Sequence, residues 1–396
     1  MASHIRVGID LGTTNICACV YDPQKQSKAV LVFPNGGKLL KSVVLARDTT
    51  LEFGQEVPGV IYQVKRFMGA KFLDDEVLDD IKALKYKVVK MPDETVGIPV
   101  TFRGRDHVLS PTEVSALMLH YVKRCVCQTV GVPVAAQVPA VVTIPAFFPE
   151  DAITATDEAA KIAGFTVIRL VKEPTAAAVA YGLRPGSVKG NVLVFDLGGG
   201  TLDITVLALG QKKEVRATGG DLHLGGVDFD RKMVDLVMDL WLEEDPDSFG
   251  DYWGDHPENA FEQSKLRFAC IRKKEELSSR PTVTVDLESV LGEEGLPVVE
   301  VTQEMFKETC EDLFDRCKSA LRNVLNEWDI DPSELSKALV IGGASRIPGV
   351  LEAFKEVLPD VSVETGIDPK EVVAMGACIV ASDINGMVDT VTDVVA

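Results

Sequence analysis

One turn occurs twice in this chain. Val194-Phe195-Asp196-Leu197 is an apolar run ending on a carboxylate, followed by Gly198-Gly199-Gly200-Thr201 and a second apolar run from Leu202 to Leu209. Val7-Gly8-Ile9-Asp10-Leu11-Gly12-Thr13-Thr14 repeats the order of strand, Asp-Leu-Gly and hydroxyl, and Asn15 to Tyr21 reads as its returning strand. Glycine reaches backbone angles closed to other residues, so the N–H groups of such a turn can converge on one anion. Asp10, Asp196 and the nearby Asp203 offer the oxygen ligands that a divalent ion bridging phosphates needs, directly or through its waters. A single glycine-rich hairpin is usually only a hairpin. Two copies of the same one point to a duplicated anion loop.

The rest of the chain repeats around these turns. Strands near Ile5–Asp10, Ile16–Tyr21 and Ala29–Phe33 are expected first, then a charged, mixed insertion over about 38–111. Apolar spacing predicts a helix over Thr112–Val130, and a continuous apolar run predicts a buried strand at Val138–Ile144. Helix Glu150–Ala163, strand Thr166–Val171 and helix Glu173–Tyr181 complete the half. The second half reads as strands Val192–Asp196, Ile204–Leu209 and Glu214–Thr218, then an insertion over about 227–302. One long helix Gln303–Asn326, a strand Ala338–Ile341, a helix entered through Pro348, a strand near Val361 and a last helix Lys370–Ser382 follow. A βββαβαβα unit used twice makes an α/β protein of two lobes flanking a cleft, where open sheets of this kind bind ligands. Lobe I is expected to span 1–185, completed by the C-terminal helix over 365–385; lobe II spans 186–364. The acidic stretch from Glu243 to Asp255 reads as a solvated loop.

Charge and cysteine usage narrow the function classes. The formal net charge of −19 disfavours nucleic acid as a partner, because the phosphate backbone would be repelled. A nucleotide remains compatible, its charge being met locally by amides, a lysine and a metal. No apolar run is long enough to span a membrane, and none of the eight cysteines has Cys-x-x-Cys spacing. Reduced thiols in a cytoplasmic protein are expected. Cys17, close to the first turn, is the candidate for a reactive thiol.

Six stretches carry a resemblance. Asp10-Leu11-Gly12-Thr13-Thr14, Val141 to Ala146, Glu173 to Ala178, Phe195 to Thr201, His223 to Asp230 and Gly342 to Pro348 resemble, in order, the ATPase domain of the seventy-kilodalton heat-shock chaperone family. The resemblance implies the actin-like ATPase fold, ATP/ADP as ligand, Mg2+, and K+ at the phosphates. It implies that Gly12, Thr13, Thr14, Gly198, Gly199 and Gly200 hold phosphates with Thr201 beside the terminal one, that Asn15, Gly225 and Gly226 also contact the nucleotide, and that Asp10 and Asp196 hold the metal and its waters. Lys65, Glu173, Asp196, Thr201 and Asp203 would carry the hydrolysis. Lys274, Ser278, Gly342, Gly343 and Arg346 would face the adenosine. Read alone, Lys65 is a solvated charge, Thr201 a strand start, Glu173 a good helix-start residue and Asp203 an outward-facing strand residue.

The chain also departs from the family. A glutamate and an arginine that the family presents to the adenosine are Ile271 and Glu275 here, and a carboxylate cannot supply a guanidinium's flat cationic face. Weaker or less adenine-selective binding is expected. Ile153 and Lys172 replace family residues tied to coupling, although Arg169 is kept. Clients (unfolded or extended polypeptides), a J-domain co-chaperone and a nucleotide exchange factor are the partners the family implies, with a monomer as the expected state. Residues 386–396 stand where the family begins a linker to a peptide-binding domain; the expectation is an excised domain lacking it. A relative that binds nucleotide without turnover, acting as co-chaperone or exchange factor, is the alternative, and a sugar kinase a more distant one.

Overall fold

The computed structural model describes residues 5–183, 190–209, 213–252, 259–364 and 366–383. The first half lays down β1 (Arg6–Leu11), β2 (Asn15–Asp22), β3 (Ser27–Val30) and β4 (Leu39–Lys41). An insertion follows, with β5 (Val43–Ala46), β6 (Leu51–Phe53), β7 (Ile61–Tyr62), α1 (Asp75–Lys82), β8 (Val89–Lys90), β9 (Val96–Phe102) and β10 (Arg105–Leu109). Then come α2 (Pro111–Val130), β11 (Val138–Ile144), α3 (Glu150–Ile162), β12 (Phe165–Lys172) and α4 (Glu173–Ala180). Ser110 and Glu113 close a reciprocal capping box at the start of α2, and Gly131 in the left-handed region ends it.

The second half opens with β13 (Asn191–Leu197), β14 (Leu202–Leu209) and β15 (Lys213–Asp221). Its insertion contains α5 (Gly226–Glu244), α6 (Pro246–Tyr252), α7 (Ala260–Leu277), β16 (Thr282–Asp286), α8 (Leu287–Leu291) and β17 (Val298–Thr302). The half ends with α9 (Gln303–Thr309), α10 (Glu311–Glu327), β18 (Leu335–Ile341), α11 (Val350–Val357), β19 (Val363–Glu364) and α12 (Val372–Ser382).

The two main sheets have one topology. The first runs β12-β11-β1-β2-β3, with β4 added on β2; the second runs β19-β18-β13-β14-β15. In each, the first strand pairs antiparallel with the second and parallel with the strand that follows the long helix. The fully buried burial pattern of β13 matches a strand covered on both faces.

The last helix of each half packs at the divide. α12 lies on β1, β2 and β11 of the first sheet and against α4, while α4 also reaches β13 and β14 of the second. One apolar cluster therefore joins Val141, Ala176, Val192, Val194, Val373 and Ala377. The approach is backbone to backbone: a Cβ built on Gly376 would lie 1.7 Å from the Ala176 carbonyl oxygen, and one on Gly8 2.0 Å from the Cys378 nitrogen.

Two expectations need correction. The single helix over Gln303–Asn326 is two helices broken at Cys310, whose φ of −99° and ψ of 9° leave the helical region. Thr309 Oγ1 donates to the Met305 carbonyl at 2.8 Å, a side-chain bond that competes with the helix ladder at that point. The stretch expected as a loop from Glu243 is helical through Tyr252, in α5 and α6. The Asp245 side chain accepts from Ser248 N at 3.2 Å at the start of α6, and Trp241 Nε1 donates to Ser248 Oγ at 2.9 Å. Residues 253–255 of that stretch, and 386–396, lie outside the described residues.

Candidate functional site

The two turns close alike. Gly12 N donates to Asn15 O at 3.1 Å, and Gly198 N donates to Thr201 O at 2.9 Å. They also face each other. A Cβ on Gly199 would fall 2.1 Å from Thr14 Oγ1, and one on Gly200 2.6 Å from Thr13 Oγ1, so side chains at these glycines would close the gap between the sheets. Gly342, at φ +83°, meets the base of the second turn; its Cβ would lie 2.2 Å from Leu197 O. Between the turns opens a cleft of about 940 Å³. Of the residues assigned in the sequence to hydrolysis, nucleotide or metal, all but Asp203 and Gly225 line it.

One part of the cleft is acidic, with Asp196 and Glu173 buried and Asp10 half-buried. Asp10, Asp196 and Glu173 line it together with one ammonium, Lys65, whose Nζ lies 3.0 Å from Glu173 Oε1. Lys65 is only 8% exposed, which removes its reading as a solvated charge. Burial alone would lower its pKa, but Glu173 and then Asp10 outweigh burial and hold it above the usual value. Burial, then Glu173, pushes the Asp10 carboxyl up to about 7 and Asp203 up to about 6. Asp196 rises well above the ordinary carboxylate range for the same two reasons, followed by Asp203 and Asp10.

Buried carboxylates repelling one another fit a divalent cation, which would relieve that repulsion. Among the described residues, no three carboxylate, imidazole or thiol side chains are grouped to hold an ion by themselves. The donor set suits Mg2+, which keeps several waters and takes the rest of its shell from one or two carboxylates and phosphate oxygens. Asp10 and Asp196 are the two that line the cleft beside the turns.

The raised carboxyls set a pH dependence. The folded protein keeps the Asp10 proton up to about 7, whereas the unfolded chain releases it near the ordinary 3.8. The protonated cluster therefore stabilises the fold at low pH, and that contribution is lost as pH rises through the folded value. In metal-free buffer, thermal unfolding at pH 5 and pH 8 should show wild type losing more midpoint over this interval than Asp10→Asn. Added Mg2+ should raise the wild-type midpoint more at pH 8 than at pH 5.

Asp203 stands behind the wall of the cleft. Its Oδ2 accepts from Thr201 Oγ1 at 2.9 Å and its Oδ1 from Ala146 N at 2.9 Å. At 1% exposure it is not the outward-facing strand residue that alternation alone allows. Gly225 likewise stands behind the second turn, where its N donates to Asp228 Oδ2 at 2.8 Å.

Sequence reasoning missed Arg66. Its guanidinium reaches Gly200 O at 2.9 Å, Asp228 Oδ2 at 2.7 Å and Asp80 Oδ1 at 2.7 Å, so it ties the second turn to α5 and to α1 of the first insertion. Nothing local in Val64-Lys65-Arg66-Phe67 marks it, since its partners are distant in sequence.

The other end of the cleft holds Lys274, Ser278, Gly343 and Arg346. Lys274 Nζ lies 2.6 Å from Asp230 Oδ1 and donates to Gly226 O at 3.1 Å. Arg346 is held by Asp368 at 2.9 Å. Ile271 packs into an apolar cluster with Phe268 and Tyr62, and Glu275 pairs with Lys41 at 3.2 Å. Cys17 lines the cleft, but burial and then Asp10 push its thiol far up, so the expected reactivity gives way to an inert thiol. All eight cysteines are free and buried.

The comparisons agree with this architecture. The Hsp70 protein family matches over residues 6–396. The chain is 34% identical over 392 residues to "Heat shock 70 kDa protein" of Neurospora crassa, covering 96% of this chain and 58% of that protein. It is 33% identical over 398 residues to "Chaperone protein dnaK1" of Synechocystis sp., covering 97% and 55%. With "Heat shock 70 kDa protein BIP3" of Oryza sativa subsp. japonica it shares 35% over 401 residues, covering 98% and 57%. The chain thus spans little more than half the length of these relatives. No helix among the described residues is long and apolar enough to cross a membrane. With so continuous a match over a duplicated α/β scaffold, the chain belongs to the Hsp70 protein family and carries its actin-like ATPase fold.

Proposed function

We propose that this chain binds ATP or ADP with magnesium in the cleft between its sheets and hydrolyses ATP to ADP and phosphate. The observation that carries this reading is the face-to-face contact of the two glycine turns beside a buried acidic cluster with a single lysine. The first turn (Gly12 to Asn15) and the second (Gly198 to Thr201) would offer N–H and hydroxyl donors to the phosphates from opposite sides. Asp10 and Asp196 would hold the magnesium and its waters; bound there, the ion neutralises phosphate charge. Glu173 would order the attacking water, and Lys65 would meet the negative charge that grows as the terminal phosphate transfers. Thr201 would stand beside that phosphate, its hydroxyl fixed by Asp203. Gly226, Lys274, Ser278, Gly342, Gly343 and Arg346 would wall the nucleoside.

The two halves are read as lobes, 1–185 with the helix over 365–385, and 186–364, whose closure on nucleotide would drive a peptide-binding domain. Unfolded polypeptide clients, a J-domain co-chaperone and an exchange factor are the partners of this reading, and the eight free cysteines support the cytoplasm as the compartment. Steady-state phosphate release with MgATP tests it. Release should proceed without any sugar acceptor and should stop when EDTA removes the metal. Tight ATP binding with no release would overturn the hydrolase reading.

A further inference from the structure

Away from the acidic cluster, α1 of the first insertion meets the second half through a set of charged groups. Asp80 of α1 is buried, and its Oδ1 accepts from Arg66 at 2.7 Å and from Arg231 of α5 at 2.8 Å. Its Oδ2 is buried too, yet accepts no hydrogen bond among the described residues. Nδ1 of His223 lies 3.5 Å from that oxygen, and Nε2 lies 3.1 Å from Oε2 of Glu76, one turn earlier on α1. The imidazole, half-buried in the segment between β15 and α5, thus stands between two carboxylates of the other half. Its backbone is pinned: His223 N donates to Asp221 Oδ1 at 2.9 Å, and its carbonyl accepts from Arg316 of α10 at 3.1 Å.

A neutral imidazole carries one N–H, so it donates to one carboxylate and turns a lone pair toward the other. An imidazolium donates from both nitrogens. Two carboxylates, one with an orphaned oxygen, therefore match the protonated ring. Arg66 and Arg231 are the nearby cations, and both also pair with Asp228. Asp80, joined by Glu76, outweighs burial and Arg66 and holds the His223 pKa above its ordinary value. The contact leads to the cleft. Arg66 donates to Gly200 O at 2.9 Å, and Asp228, which accepts from Arg66, also accepts from Gly225 N at 2.8 Å. Whatever holds α1 to α5 thus bears on the second glycine turn. Resting on the nucleotide reading above, we infer that His223 is a proton-operated clasp between the two halves: as imidazolium it ties α1 to the second turn and slows release of the nucleotide. The hold is present at low pH and is lost as pH rises through the folded value of the ring.

Release of a fluorescent ADP with magnesium, chased by excess MgADP at pH 6 and pH 8, tests this. Asp10 also titrates in this interval, so wild type is compared with Glu76→Gln and His223→Gln, both of which keep Asp10. The ratio of the release rate at pH 8 to that at pH 6 should be about threefold larger in wild type than in either variant, the worth of a partly exposed ion pair. The same ratio in all three proteins would overturn the clasp and leave the nucleotide reading standing. An NMR titration of the nucleotide-free chain reads the ring directly. His223 should titrate above an ordinary histidine in wild type and fall back toward it in Glu76→Gln. Titration at or below the ordinary value in wild type would overturn the clasp alone. No nucleotide binding at either pH would overturn the nucleotide reading, and this inference with it.

Discussion

Methionine at position 65 is expected to lower ATP turnover by ~100- to 1000-fold, the usual effect of removing one positioned charge donor, about 2.7–4 kcal/mol of barrier. Lys65 is the one ammonium among Asp10, Glu173 and Asp196, and its bond to Glu173 at 3.0 Å fixes it at the end where the phosphates would react. The same substitution leaves Glu173 buried without its cation. Losing one partner of a buried pair typically costs about 3–5 kcal/mol, so the metal-free variant should also melt earlier than wild type. MgADP should restore much of that loss, since the ion brings the charge the side chain removed. Single-turnover phosphate release and a melting curve with and without MgADP separate the two effects. Unchanged release would remove Lys65 from the chemistry.

A large loss of stability is also expected from Gly376→Ala. A methyl group there would stand 1.7 Å from the Ala176 carbonyl oxygen, a backbone atom that cannot step aside unless α4 and α12 part. Overpacking typically costs 1–3 kcal/mol where side chains can adjust, so a loss of about 3 kcal/mol or more is expected here. Gly250, on α6 with nothing within 4 Å of a built Cβ, is the control. Gly250→Ala should be neutral or slightly stabilising, by up to about 1 kcal/mol, because alanine is the better helix former. Urea denaturation of both variants checks the pair; equal midpoints would mean the helices tolerate separation.

Much of this architecture can be read from the chain because its signals are local. Each turn has its glycines, its aspartate and its two apolar runs within a few residues, and the strands around them form as the pattern predicts. The break at Cys310 was not legible, since the apolar spacing continues through it and only the Thr309 side-chain bond and local dihedrals interrupt the ladder. Nor were the groups that act across the cleft. Arg66 meets Asp228 and Lys41 meets Glu275, both pairs that close only when the two sheets are assembled. Periodicity places a residue on a face of its own element; it carries no information about which distant charge that face will meet.

The crossing of α4 and α12 has a mechanical consequence. Small residues on both sides, Ala176 and Ala177 against Gly376 and Ala377, bring the two backbones together without interlocking long side chains. Such a joint resists separation but offers few teeth against rolling. A crossing of this kind is shaped as a pivot, holding the two backbones in contact while leaving rotation between them the least hindered movement.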